Sequence, residues 1–423
     1  MIFNSIKERY IFYTVPVILF ILIPIFLITG PFLSDMSISL ISLLFLAYCI
    51  KKKNFSFFKN KFFYFFLIFW LYLVFNSLFF NFNFDSVKIS FFYIRYGIFV
   101  ISILALLNID DGFIKYFFYC ILLCFSSLIL DGFYEYFFLK DNIRVSSFFG
   151  DEKILGSYLS RLWPMFFALS LIFLNKKDRL FNFIVLIFIF SEILIFLSAE
   201  RSAFFNINLS AIFVILLSKN LIRLRLFILL SSLLLILIIS FIDPTAKKRM
   251  IDQTLFQMNL VTNKEMNLSS NTDNLKRKYI FSQQHQEIYT SAYKMFLDNK
   301  LLGIGVKNFR HKCHEEKYYV DGKKICYTHP HNSYLQILTE TGIMGFSFLV
   351  LVLLIFCKYI YKHLRLKFQG RYYFNDFQIC ILSGIAVYLW PFIPTGNIFN
   401  NWLNIILILN LPLLIWYKKL NKT

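Results

Sequence analysis

THPHNSYLQILTETGIMGFSFLVLVLLIFCKYIY, residues 328–361, changes character halfway along. From Gly342 to Tyr361 it is almost wholly apolar and about 20 residues long, the length an α-helix needs to cross a hydrocarbon core. Ahead of that run stand His329, His331, Asn332 and Glu340, an unusual polar threshold for a membrane span. Pro330 separates the two histidines, and Asn332 is placed to cap a helix beginning just after it. Leu335, Leu338 and Met344 then supply apolar packing, and Gly342 and Gly345 are the positions for a bend.

The rest of the chain repeats the apolar half of this pattern. It has 423 residues, 58% hydrophobic and only 16% charged, with 56 Phe and 25 Tyr, too little polar surface for a water-soluble domain of this size. Twelve spans are expected. They are Tyr10–Ile28, Leu33–Ile50, Phe62–Phe80, Ser90–Leu107, Gly112–Leu130, Ile154–Leu174, Leu180–Leu197, Ala203–Ser218, Leu226–Phe241, Gly342–Tyr361, Phe377–Ile393 and Asn401–Tyr417. Asn206 and Asn208 interrupt the eighth, which should face protein or a polar cavity. Arg95 and Arg161 lie within the fourth and sixth, either snorkelling to helix ends or facing the interior.

Basic residues collect on one side. Lys7, Arg9, Lys51–Lys53, Lys59, Lys61, Lys176, Lys177, Arg179, Lys219, Arg223, Arg225, Lys362, Arg365, Lys367, Arg371, Lys418, Lys419 and Lys422 flank alternate spans. The positive-inside rule puts both termini in the cytoplasm, so the formal charge of +20 is a topology signal and not a sign of nucleic-acid binding. The first span lacks a small-residue cleavage site and is expected to be retained. The fold class is therefore all-α and polytopic, with about twelve transmembrane helices and one large external loop. Three parts follow: helices 1–9 in residues 1–242, the loop in 243–334, and helices 10–12 in 335–423.

Within the loop, Ile288, Ala292, Met295 and Phe296 recur at helical spacing, predicting a helix over Gln283–Leu297 that ends before Gly303 and Gly305. The turn NKLLGIGVKNFR, residues 299–310, ends with Lys307 and Arg310. It is either a solvated basic turn or a site for phosphate or an acidic sugar, with Arg310 preferred because guanidinium binds anionic oxygens bidentately. Cys313 and Cys326 can form a disulfide in an oxidising compartment. With His314 and His329 they also suggest zinc, but the ligand spacing is loose and no metal or other cofactor is assigned. SAERSAF, residues 198–204, places Glu200 and Arg201 between two spans, as an ion pair or as a cationic ligand site. His329 and His331 are the groups able to exchange a proton near neutral pH.

Taken together, SAERSAF, GIGVKNFR and HPHNSYLQILTETGIMG resemble the O-antigen ligase/polymerase family of bacterial membrane glycosyltransferases, over roughly residues 190–350. The resemblance implies a bacterial inner-membrane protein with the large loop in the periplasm, surrounded by inner-membrane lipids. It implies an undecaprenyl-pyrophosphate-linked glycan as donor, and lipid A–core or another glycan as acceptor. The family's essential histidine falls on His331, with His329 next, and its arginine after a span falls on Arg201. A further family arginine near the start of the loop helix has no counterpart in SQQHQEIY, residues 282–289, leaving Arg277, Lys278 and Arg310 as candidates for a second cation. Glu340 is the last catalytic candidate, tuning the histidine, capping a helix or binding sugar hydroxyls. The expected activity is an O-antigen ligase; the alternatives are a polymerase, a protein O-oligosaccharyltransferase and, in another class, a lipid-linked sugar transporter.

Overall fold

The computed structural model describes residues 3–139, 144–175, 177–243, 247–257 and 281–420. Among them the fold is helical throughout; the one β-bridge joins Val320 and Lys323. Among the described residues, nine helices are long and apolar enough to cross a membrane: α1 Ile6–Thr29, α2 Pro31–Lys51, α3 Lys61–Phe79, α4 Phe84–Leu107, α5 Phe113–Leu139, α6 Leu155–Phe173, α7 Arg179–Leu197, α9 Ile222–Ile242 and α11 Ser333–Phe368. The other three expected spans are also helices, but shorter in their apolar part: α8 Arg201–Leu217, α12 Asp376–Tyr388 and α13, whose apolar stretch is Asn401–Tyr417. The predicted loop helix is present as α10, Gln283–Asp298.

The short helices are short for identifiable reasons. α12 buries Phe377 through Val387 against α6, α8 and α13, so it is apolar all round because protein surrounds it. It ends at Tyr388, five residues before the predicted Ile393, because two prolines follow at Pro391 and Pro394. By contrast, α11 turns Ile343, Met344, Leu351, Leu354 and Ile355 outward, an apolar face suited to lipid.

Charged side chains inside the bundle are paired or stacked. Arg95 binds Asp35 at 2.8 Å and Asn401 at 3.1 Å, tying α4 to the starts of α2 and α13. Arg161 lies inside, its guanidinium 4.8 Å from the Tyr388 ring centre. Arg225, expected among the surface charges of a basic loop, is instead fully buried. It binds Glu192 at 2.6 Å and stacks 4.3 Å from the Trp163 ring centre. Removing one partner of such a pair would strand a charge in an apolar interior.

The loop carries a core of its own. Ile288, Ala292 and Met295 of α10 pack with Ile304, Phe309, Cys313 and Tyr318. Cys313 and Cys326 form a disulfide across 13 residues of chain, which contributes about 3 kcal/mol on the chain-entropy estimate. Their sulfurs are thereby consumed, so the nearby group of Cys313, His314 and Cys326 offers no thiolate pair to a metal.

What docks this loop to the bundle is a break in α11. Gly342 takes φ 63° and ψ −170°, and the helix on either side of it leaves backbone groups without intrahelical partners. The glycine turn satisfies them. Ile304 N–H donates to the Thr339 carbonyl (3.0 Å) and Gly305 N–H to the Glu340 carbonyl (2.9 Å), while Ile343 N–H donates to the Lys300 carbonyl (2.8 Å). From the end of α3, Asn76 reaches the Leu302 carbonyl at 2.7 Å and Asn81, just beyond it, the Gly303 carbonyl at 3.2 Å. The Tyr72 hydroxyl closes the clasp on the Thr341 carbonyl. Gly303 approaches this backbone so closely that a Cβ there would lie 2.5 Å from Gly342 N.

Candidate active site

The histidine segment stands at the head of α11, and its own sequence shapes it. Asn332 accepts the Leu335 N–H at 3.0 Å, starting the helix as an N-cap. Its amide also donates to the Pro391 carbonyl at 2.7 Å. One residue earlier, His331 has φ 57°, a left-handed conformation uncommon for a residue with a side chain. Thr395 N–H holds it there through the His331 carbonyl, at 2.8 Å. The Tyr289 hydroxyl approaches the same carbonyl at 3.5 Å. Backbone conformations of this kind persist where the surroundings over-determine them.

The two histidines differ in what their rings can do. His329 Nε2 faces the Thr395 carbonyl at 3.2 Å. A carbonyl only accepts, so in the neutral ring the proton sits on Nε2. That leaves Nδ1 to accept from the Thr328 hydroxyl at 2.9 Å, and both nitrogens are occupied. Among the described residues, neither ring nitrogen of His331 has a hydrogen-bond partner. The His331 ring lies 4.1 Å from that of His329, and 5.9 Å from those of His285 and Tyr327, centre to centre. Of the two histidines at the head of α11, His331 is therefore the open one; His285, whose Nδ1 meets the Ser282 hydroxyl at 2.7 Å, has one nitrogen engaged.

Burial, then the neighbouring His331, push His329 down to about 4. Burial also lowers His331, with His285 adding to the effect, and lowers His285, with Arg201 adding to it. All three rings are thus kept neutral where an ordinary histidine begins to protonate, and a neutral ring is the form that accepts a proton. A base works above its pKa, so the acid limb of kcat/KM is expected to fall below pH 6.5, the ordinary value for histidine. A pH–rate profile checks this; an acid limb centred at or above 6.5 would remove His331 as the base.

Arg201 is the first residue of α8. Its neighbour Glu200 accepts from Gly156 N–H (2.7 Å), Ser157 N–H (3.1 Å) and the Ser157 hydroxyl (2.6 Å), so it neutralises the start of α6. Arg201 lies close enough to His285 for its charge to act on that ring. Arg310 and Lys307 act in the same way on His329. These charges act on His285 and His329, while His331 is shifted by burial and His285. Arg277 and Lys278 lie outside the described residues.

Glu340 is fully buried, and its Oε1 has no hydrogen-bond partner among the described residues. Its Oε2 accepts the Lys307 N–H at 2.9 Å and the Gln336 amide at 3.1 Å. Gln336 continues to Asn397 at 2.8 Å and accepts the Ile398 N–H at 3.0 Å. The carboxylate braces the glycine turn against α11.

Two components escaped the sequence reading. His285 stood out only as a departure from an expected arginine, and its place beside His331 depends on how α10 docks. The segment 389–400 was read partly as span and partly as connection, yet Leu389, Pro391, Thr395 and Asn397 hold Tyr334, Asn332, His331 and Gln336. Its PFIPTGN composition, rich in Pro and polar residues, was the available signal.

Residues 183–350 match the family model described as O-antigen ligase, which places this segment in the O-antigen ligase/polymerase family. The matched segment runs from α7 to the middle of α11 and includes Arg201, α10, the glycine turn and both histidines. No curated protein matches the chain.

Proposed function

We propose that this multi-pass membrane protein, through its O-antigen ligase/polymerase family segment, transfers a glycan from undecaprenyl pyrophosphate to a sugar hydroxyl, with lipid A–core as the acceptor. The observation that carries the reading is the His331 imidazole at the head of α11, without a hydrogen-bond partner among the described residues and 4.1 and 5.9 Å from the His329 and His285 rings, with burial lowering its pKa. The step is a single displacement. The acceptor hydroxyl oxygen bonds to the anomeric carbon, the bond from that carbon to the pyrophosphate oxygen breaks, and the electron pair leaves with the pyrophosphate. His331 takes the hydroxyl proton, and the anomeric configuration inverts.

Arg201 serves the leaving group. Its guanidinium matches a pyrophosphate in charge and geometry, and the adjacent His285 gains a proton more readily once an anion lies beside it. Cations fixed in place before the reaction stabilise charge as it develops, which is worth several kcal/mol, roughly, in a protected site. The linkage to pyrophosphate already activates the sugar, so no nucleotide enters the step. In this reading both termini are cytoplasmic, the loop is periplasmic, and the site opens at the outer face of the inner membrane.

The test supplies the purified protein in bilayers with an undecaprenyl-pyrophosphate glycan, offering lipid A–core and a second lipid-linked glycan in separate reactions. Glycosylated lipid A–core, resolved by mass, is the expected product. Elongated lipid-linked glycan alone would replace ligation by polymerisation. Absence of product from both acceptors and from protein hydroxyls would reject glycosyl transfer.

A further inference from the structure

Among the described residues, three rings border the His331 imidazole, and they differ in what they offer an incoming substrate. His329 lies 4.1 Å away, centre to centre, but is buried with both nitrogens engaged. His285, at 5.9 Å, is partly buried, bonded to Ser282 and 6.0 Å from the Tyr289 ring. The third is Tyr327, also at 5.9 Å and steeply inclined to His331, with 77° between the ring planes. Tyr327 is 36% exposed, which makes it the most open of the three. Neighbouring tyrosines are used otherwise. Tyr318 is buried in the loop core, the Tyr334 hydroxyl donates to the Leu389 carbonyl at 2.5 Å, and that of Tyr289 approaches the His331 carbonyl at 3.5 Å.

The place of Tyr327 is fixed from two directions. Cys326, the residue before it, is bonded to Cys313, and Ile325 is buried in the same loop core. From α10, the Gln284 side-chain amide donates to the Tyr327 hydroxyl at 2.7 Å. With that bond accepted, the hydroxyl keeps its own proton for a further acceptor. A tyrosine ordered in this way while still exposed offers a large contact area with little conformational freedom left to lose.

We infer that Tyr327 and Gln284 form the subsite for the sugar that carries the attacking hydroxyl: the terminal pyranose of the acceptor glycan stacks on Tyr327 and turns a hydroxyl toward His331. A pyranose has the matching chemistry, with C–H bonds on its face to lie against an aromatic ring and a rim of hydroxyls for the tyrosine hydroxyl and the amide. The order of bonds in the transfer assigns the subsite to the acceptor. The base touches the acceptor's oxygen, and the donor's anomeric carbon lies beyond that oxygen. The sugar nearest to His331 and its bordering rings is therefore the acceptor's. This assignment rests on the glycosyl-transfer reading, so binding is measured apart from transfer.

Saturation-transfer difference NMR of the full chain in nanodiscs measures binding. The probes are lipid-free core oligosaccharide and, separately, the glycan released from the donor lipid. The unmodified chain should give signals from the terminal sugar of at least one probe. Tyr327→Ala should abolish them, Tyr327→Phe should retain them, and Gln284→Ala should weaken them. Undiminished signals in Tyr327→Ala, or none from either probe with the unmodified chain, would overturn the subsite. The disulfide and Ile325 anchor this segment without the tyrosine side chain, so Tyr327→Ala should fold; an intact Cys313–Cys326 link, seen by peptide mass, checks this.

A kinetic arm identifies which sugar stacks. Tyr327→Ala should raise the acceptor KM roughly threefold to tenfold, the worth of one ring stack, leave the donor KM unchanged, and be rescued by Tyr327→Phe. A raised donor KM would move the ring to the donor's sugar and overturn the assignment. A fall in kcat with both KM values unchanged would make Tyr327 a prop for His331 and overturn it equally. Probe binding that is lost in Tyr327→Ala, in a chain that transfers to no acceptor, would reject glycosyl transfer and keep the sugar subsite.

Discussion

His331→Ala should reduce glycan transfer by roughly 10²–10⁴-fold, the usual contribution of a general base, with donor binding little changed. The expectation follows from which nitrogens are open. His329 has both ring nitrogens engaged, by Thr395 and Thr328, whereas the His331 ring has none engaged by the described residues. His329→Ala should therefore act mainly on stability, by leaving the Thr395 carbonyl without its ring N–H donor, at roughly 1–3 kcal/mol. The His331 backbone is held independently of its ring, through Thr395 N–H at 2.8 Å, so truncating the side chain leaves the turn's anchor in place. Alanine does meet a penalty at φ 57°, and His331→Gly supplies the control because glycine adopts that conformation freely. Both variants should be inactive in a mass-resolved transfer assay. Activity surviving in a folded His331→Gly protein would exclude the imidazole from the reaction.

How much of this was legible beforehand varies with the range of the interaction concerned. The apolar helices were readable because length and hydropathy are local, and α10 because Ile288, Ala292 and Met295 repeat on one face. The Asn332 cap was readable for the same reason. Arg225 was misplaced because a basic residue beside Arg223 reads as loop charge, and only packing shows that Glu192 and Trp163 enclose it. Glu340 stands nine residues beyond His331, and the sequence left its reach open; its partners lie 33 residues back, at Lys307, and four residues back, at Gln336. The pairing of His331 with Thr395 joins segments 64 residues apart through backbone atoms, which carry no sequence signature. Family likeness pointed to His331 without showing why its ring, and not that of His329, is the open one.

Gly342→Ala should produce the largest loss of structure among single changes at the clasp. Two penalties coincide there. At φ 63° and ψ −170° the backbone occupies a region nearly reserved for glycine, and a side chain costs of order 1–3 kcal/mol. In addition, the new Cβ would sit 2.2 Å from the Leu301 carbonyl oxygen and 2.6 Å from Gly303 N, both backbone atoms that cannot rotate away. Relief requires the glycine turn to withdraw from α11. Withdrawal breaks the bonds of Ile304, Gly305 and Ile343 to the opposite strand of backbone, and pulls Lys307 from Glu340. The helices on either side remain intact, so the expected protein is membrane-inserted and helical but has lost the register between the cationic turn and His331. Gly370→Ala is the matched control: φ is 73° there, but nothing lies within 4 Å of the added carbon, so only the conformational penalty applies. Hydrogen exchange at Ile304 and Gly305 measures the difference directly. Fast exchange at both in Gly342→Ala, with protection in Gly370→Ala and transfer reduced in the former alone, would establish that the glycine clasp positions the site; unchanged protection in Gly342→Ala would mean the turn is held by other contacts.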